Sequence, residues 1–347
     1  MKVGVFDHVE RADRPLADLY DERLKFAAAA DEAGFYCLHV AEHHCTPLNM
    51  VPEPSVYLAA VARATKRIPF GPLVYLLTLY SPLRLIEEIC MLDHLGRGRL
   101  EVGVGRGVSP FELNYHKVDH GESRDIFIDA YECVLEGLTH DSFSFKGKYF
   151  TYGETPMPMR PYQQPHPALW YGSSNPIGST WAGEHGLNFT ANGPTDFAKG
   201  NIAAFREALA KRGAPMIAKP EFKEGVAIGA LRHIVVAETE EAAIRIAKPA
   251  FDYHLGSLNY LRKLHNSMEF TTRLNVQRGQ NFEECVKNGM VIVGTPAQVT
   301  DAIARQTREM GINYLLTYLL FGTMSFADAE RSLELFATRV MPAIAAL

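Results

Sequence analysis

The sequence is short of most features that would place it quickly. Five cysteines stand among 347 residues, at Cys37, Cys45, Cys90, Cys133 and Cys285, with no C-x-x-C pair among them. That excludes a zinc ribbon and a disulfide framework, and it fits a reducing cytoplasm. Nor is there an excess of positive charge: 35 Lys and Arg are set against 40 Asp and Glu, both signs interspersed, for a net charge of −5. An electrostatic footprint for nucleic acid is therefore absent. No run approaches the ~18 apolar residues of a membrane span, and the opening MKVGVFDHVERAD carries too few apolar residues to read as a secretory signal. A soluble cytoplasmic protein with no membrane partner is expected. The dinucleotide fingerprint G-x-G-x-x-G is missing too. Its nearest approach is LEVGVGRGV at 100 to 108, where Gly103, Gly105 and Gly107 alternate before Val108, Ser109 and Pro110.

What is present is a regular alternation of short apolar runs with longer helical patterns. Strand candidates occur at 3 to 6, 36 to 41, 70 to 77, 99 to 105, 168 to 172, 187 to 191, 233 to 237 and 312 to 319. Eight strands with helices between them predict a single (β/α)8 barrel domain over 1 to 347, an α/β fold of the TIM-barrel kind. Three helix starts are punctuated by a capping residue and a proline, at Ser81-Pro82, Asn175-Pro176 and Thr295-Pro296. Two stretches break the repeat and read as insertions, 141 to 166 with a hairpin-like alternation, and 255 to 289. The helix PLRLIEEICMLDHL is apolar on nearly every side, and with SVYLAAVARA beside it predicts a homodimer through helices near 54 to 66 and 82 to 95. Cover by an inserted segment is the other reading.

Active sites of such barrels lie at the C-terminal ends of the strands. The segments that end there are AEHHC at 41 to 45, LLTLYSP at 76 to 82, GRG at 105 to 107 and GSSNPIGS at 172 to 179. GSSNPIGS puts hydroxyl and amide groups at a helix N-terminus, which favours an anion, and Arg106 can reach the same anion from the neighbouring strand. A phosphate cradle and a plain N-cap are the two readings of this loop. His43 and His44 are adjacent, so they point to opposite sides and one of them is structural. His43 can serve as a general base or hydrogen-bond donor, with Glu42 to orient it. A zinc site would need the H-x-H pattern on the first strand, where Asp7-His8 is only a substitute. No metal is expected.

Four motifs in order, AEHH at 41 to 44, SPLRLIEEICMLDHLGRGRLEVGVGRG at 81 to 107, GSSNPIGSTWAGEHGL at 172 to 187 and VGTPAQVTDAI at 293 to 303, give the chain its resemblance to the bacterial luciferase family of flavin-dependent monooxygenases. The resemblance implies a barrel that binds reduced FMN delivered by a separate reductase and forms a flavin hydroperoxide with O2, which oxygenates a small organic substrate. It implies further that Arg106, Gly172, Ser173, Ser174 and Asn175 hold the FMN phosphate, with Gly178 and Ser179 as added donors. His43 falls at the family's catalytic histidine, beside Glu42. A non-proline cis peptide under the flavin ring is expected at Leu73–Val74. Gly105 stands where the luciferase α subunit has a reactive cysteine, which argues against assuming light emission. Gly103 and Gly105 would leave the flavin room, while Gly107 turns the chain.

Three other functions stay open at this point: a deazaflavin-dependent hydride-transfer enzyme, a non-catalytic flavin-binding relative, and a flavin-free phosphate-binding barrel such as an aldolase. The last wants a lysine late in a barrel strand, and none of the eight runs holds one.

Overall fold

The protein is represented by a computed structural model that describes residues 1–267 and 279–347. Its strands are β1 (Lys2–Asp7), β2 (Leu38–Val40), β3 (Phe70–Pro72), β4 (Tyr75–Leu76), β5 (Val102–Gly105), β6 (Ser142–Lys146), β7 (Thr151–Pro156), β8 (Leu169–Ser173), β9 (Asn188–Ala191), β10 (Ile228–Val236), β11 (Val291–Gly294) and β12 (Tyr314–Tyr318). The main sheet runs β3-β2-β1-β12-β10-β9-β8-β5-β4, all parallel. β3 and β4 are two halves of one strand, separated by the cis peptide Leu73–Val74. β3 pairs with β2, and β4 with β5, while a bridge from Phe70 to Leu100 joins the same neighbours lower down. The ring therefore closes as the (β/α)8 barrel that the alternation predicts.

Differences from the expected strands are local. The run 70 to 77 is interrupted rather than continuous, and the strand expected at 233 to 237 begins five residues earlier, at Ile228. β11 was not expected at all. Four residues between Gly289 and Thr295 are too short a run to signal a strand, yet they pair in register with the C-terminal half of β10, from His233↔Val291 to Val236↔Gly294. The insertion 141 to 166 begins with the antiparallel hairpin β6–β7. Within 255 to 289, the helix Glu240–Leu258 runs on into a short helix Tyr260–Leu264, and a further helix spans Phe282–Lys287. The remainder of that expectation, 268–278, lies outside the described residues.

The three proline-marked helix starts are observed at Pro82, Pro176 and Pro296. Asn175 and Thr295 cap through their side chains, but Ser81 does not. The helix Pro82–Gly96 gains its second buried face from within the chain. It packs against Pro54–Ala64 and Ser123–Thr139, and its Asp93 accepts from the Gln163 N–H and side-chain amide in the return from the hairpin. Val56, Met91 and Leu95 of these helices remain exposed.

Candidate active site

A cavity of about 330 Å3 opens at the C-terminal ends of the strands. It is lined by Glu42 and His43 after β2, Leu73 and Val74 between β3 and β4, Gly105 and Arg106 after β5, and Gly172, Ser173, Ser174 and Asn175 after β8. Ten of the twelve residues singled out in the sequence thus meet around one space. Gly178 and Ser179 do not line it. The Gly178 N–H donates to the Asn175 side chain, and the buried Ser179 hydroxyl donates to the Asn175 carbonyl, so both serve the helix cap.

The histidine pair divides as its alternation requires. His43 faces the cavity and places Nδ1 3.2 Å from Glu112 Oε1 and 3.3 Å from Oε2. His44 turns away, with Nε2 2.9 Å from Glu42 Oε1. Here the structure corrects the expected pairing: Glu42 orients His44, not His43. The other Glu42 oxygen accepts from the Leu76 N–H at 3.1 Å and the Tyr80 hydroxyl at 2.9 Å. Burial raises the Glu42 carboxyl pKa against the pull of these partners. In His44 burial lowers the pKa, but the hydrogen bond and charge of Glu42, with Glu112 and Glu53, outweigh it and leave it raised.

Glu112 escaped the sequence reading. Ser109-Pro110 starts a short helix, Pro110–Tyr115, immediately after the strand mouth, and Glu112 sits in its first turn with its N–H donating to Ser109 Oγ. An acid in the first turn of a helix that begins at a strand mouth was the available signal. Its carboxylate also accepts from the His44 N–H at 2.9 Å. Burial alone would raise its pKa; the His43 charge and hydrogen bond, with the His44 N–H and Ser109, hold it below the ordinary carboxylate value.

At the opposite side of the cavity, Ser173 Oγ donates to the Asn175 carbonyl and accepts from the Asn175 N–H, folding the loop into the start of helix Pro176–His185. Arg106 lies beside it, half-buried, with only a 3.5 Å contact to Ser123 Oγ and no ion pair among the described residues. Glycines of β5 prove to be packing requirements. A Cβ on Gly103 would fall 2.5 Å from the Pro72 carbonyl oxygen, and one on Gly105 would fall 2.3 Å from Val74 Cγ2. Gly103 admits the Pro72–Leu73 backbone and Gly105 the Val74 side chain, while Gly105 also lines the cavity. Gly107, at φ +86°, turns the chain as expected.

The cavity also takes in His8, His233, His254 and Arg262, none of which the sequence singled out for this space. Phe6 and Leu76 line it too, whereas Tyr318 donates to the buried Glu10 at 2.9 Å. No group of three or more metal-ligating side chains occurs among the described residues.

Residues 1–314 match the family model described as luciferase-like monooxygenase. An uncharacterized protein, y4wF, of Sinorhizobium fredii is 36% identical over 321 residues, covering 92% of this chain and 91% of that protein. The oxygenase component of the flavin-dependent trigonelline monooxygenase of Acinetobacter baylyi is 25% identical, covering 99% and 95%. Among solved structures, the oxygenating constituent of 3,6-diketocamphane monooxygenase from Pseudomonas putida, in complex with FMN, superposes with a TM-score of 0.82 at 22% identity, covering 99% and 98%. An F420-dependent secondary alcohol dehydrogenase shares the fold at a TM-score of 0.72 and 19% identity, covering 99% and 98%.

Proposed function

The chain belongs to the luciferase-like flavin-dependent monooxygenases, and from that premise we propose that it is the oxygenase of a two-component system, using FMNH2 from a separate reductase to oxygenate a small organic molecule. The observation that carries this reading is Arg106, a cavity cation with no acidic partner among the described residues, set beside the N-terminus of helix Pro176–His185. A guanidinium and a helix N-terminus converging on one space are suited to a phosphate. When bound, reduced FMN supplies the electrons that activate O2 for transfer of one oxygen atom to the substrate.

The residues of this chain set the conditions. Arg106, with Ser174 and Asn175 at the helix start, holds the phosphate. The Leu73–Val74 backbone forms the shelf for the ring. Glu112 fixes His43 through Nδ1, leaving Nε2 to hold or deliver a proton in the cavity. Phe6, Leu231, Leu255 and Leu258 give the space apolar walls that limit water. The exposed Val56, Met91 and Leu95 are the contact of a homodimer, and the free cysteines fit the cytoplasm. No helix among the described residues is long and apolar enough to cross a membrane.

Anaerobic titration with FMNH2, followed by an oxygen pulse, tests the reading. Saturable binding with slowed reoxidation is expected, and Arg106→Met should weaken binding about 10- to 100-fold, the effect of losing charge-assisted hydrogen bonds. Tight binding of a deazaflavin with no response to FMNH2 would overturn it.

A further inference from the structure

Two carboxylates line the cavity, Glu42 and Glu112, and each is already paired with a histidine, His44 and His43. Two arginines line it as well, and neither has a carboxylate within ion-pair distance among the described residues. Arg106 stands at the phosphate end. Arg262 is on the short helix that follows Glu240–Leu258, which itself follows β10, and in the ring β10 is separated from β5 by β8 and β9. The two cations thus reach the same cavity from different elements, Arg106 from the loop after β5 and Arg262 from the short helix Tyr260–Leu264.

Arg262 is half-buried, and its Nη1 donates to the Leu258 carbonyl at 3.0 Å and to Asn259 Oδ1 at 3.3 Å. Those bonds cap the preceding helix and anchor one end of the guanidinium. Among the described residues Nε and Nη2 have no hydrogen-bond partner, and burial lowers the pKa more than the Glu112 charge raises it. Glu112 acts on it electrostatically but stays beyond ion-pair distance, its oxygens committed to His43 and the His44 N–H. The same cavity is lined by the apolar Leu255, Leu258 and Leu261 from the segment that carries Arg262, and by Phe111 from the helix that carries Glu112.

We propose that Arg262 is the substrate's anion subsite, and that the substrate is a small molecule with a carboxylate at one end and an apolar or aromatic body. The inference rests on the cavity being the oxygenation site, and it assigns the second cation to the substrate as the first is assigned to the cofactor. A planar guanidinium with two free donor positions matches a carboxylate in a way that the flanking leucines and Phe111 cannot.

Benzoate and benzamide are matched probes for this site, differing in charge but hardly in shape. Isothermal titration with the FMN-loaded protein and with the flavin-free protein measures the ratio of their affinities. The wild type should prefer benzoate, and Arg262→Met should reduce that preference about tenfold or more while leaving benzamide within about twofold. Arg262→Lys keeps the charge without the fork and should recover part of the preference. In Arg106→Met the preference should persist in the FMN-free protein while FMN binding weakens. An unchanged preference in Arg262→Met, or an equal loss for both probes, would overturn the proposal and leave Arg262 as a helix cap. Should Arg262→Met fail to fold, Arg262→Lys and Arg262→Gln give the same comparison. Failure of FMN to bind sinks the cofactor reading separately, because the benzoate titration of the flavin-free protein does not depend on it.

Discussion

At the N-terminal end of the barrel, Glu101 accepts from Lys219 and from the Trp170 indole, Lys219 also donates to the Tyr36 hydroxyl, and Tyr36 donates to Glu221. His39 and Tyr314 pack on Trp170 with ring centroids 4.8 and 5.1 Å away. At the C-terminal end, Arg106 and Arg262 line a cavity without a carboxylate partner among the described residues. Both ends bury charge; at the lower one Glu101 and Lys219 are paired within the protein, although the neighbouring His39 Nε2 and Tyr314 hydroxyl have no hydrogen-bond partner among the described residues. Charge whose partners are all in the protein acts on stability; charge left with donors to spare is available to a ligand.

The largest effect expected from this contrast is at the lower end. Lys219→Met leaves Glu101 buried without its cation and should cost about 3–5 kcal/mol, read as a fall in urea midpoint at unchanged m-value. A loss below about 1 kcal/mol would mean that the lower network is no more binding than a surface pair. An intermediate effect is expected for Glu112→Gln, about 1–2 kcal/mol at neutral pH from weakened charge-assisted bonds to His43 and the His44 N–H. Its sign with pH is fixed. The folded carboxyl lies below its unfolded value, so its stabilisation is complete above the ordinary carboxylate range and is lost as pH falls through the folded value. The stability difference between wild type and Glu112→Gln should therefore shrink on acidification; a difference that grows would contradict the His43 pairing. Arg106→Met should give the smallest change, within about 0.5 kcal/mol, because the side chain makes a single long contact to Ser123. A large loss of stability there would show that the upper cation is structural and would erase the contrast between the two ends.

Much of the upper end was readable in the chain, because its signals are local. The GSSNP loop announces a capped helix start, and Asn175 does accept from the Gly178 N–H at 2.9 Å. Adjacency alone splits His43 from His44. The same reading assigned Glu42 to His43, because Glu42 and Glu112 are both glutamates within reach and only the path of the short helix after β5 decides between them. For Gly103 and Gly105 the sequence signals a need for space, but not that the Pro72–Leu73 backbone and the Val74 side chain pack against them. The helix Pro82–Gly96, expected to pair with a second copy, is in part covered by its own chain through Gln163 and Asp93, which lie 70 residues apart.

By itself, the sequence determined the alternation of strands and helices, the hairpin insertion, the proline-marked helix starts and the set of loops that meet at one end of the barrel. Each follows from periodicity, capping or chain order, which depend on residues a few positions apart. Only the tertiary structure decided that Glu112 buttresses His43 across 69 positions, that Lys219 and Glu101 close the lower end across 118, and that Arg262 faces the same cavity as Arg106. Such pairings are set by closure of the ring and by the register of its strands, and no local pattern of side chains encodes them.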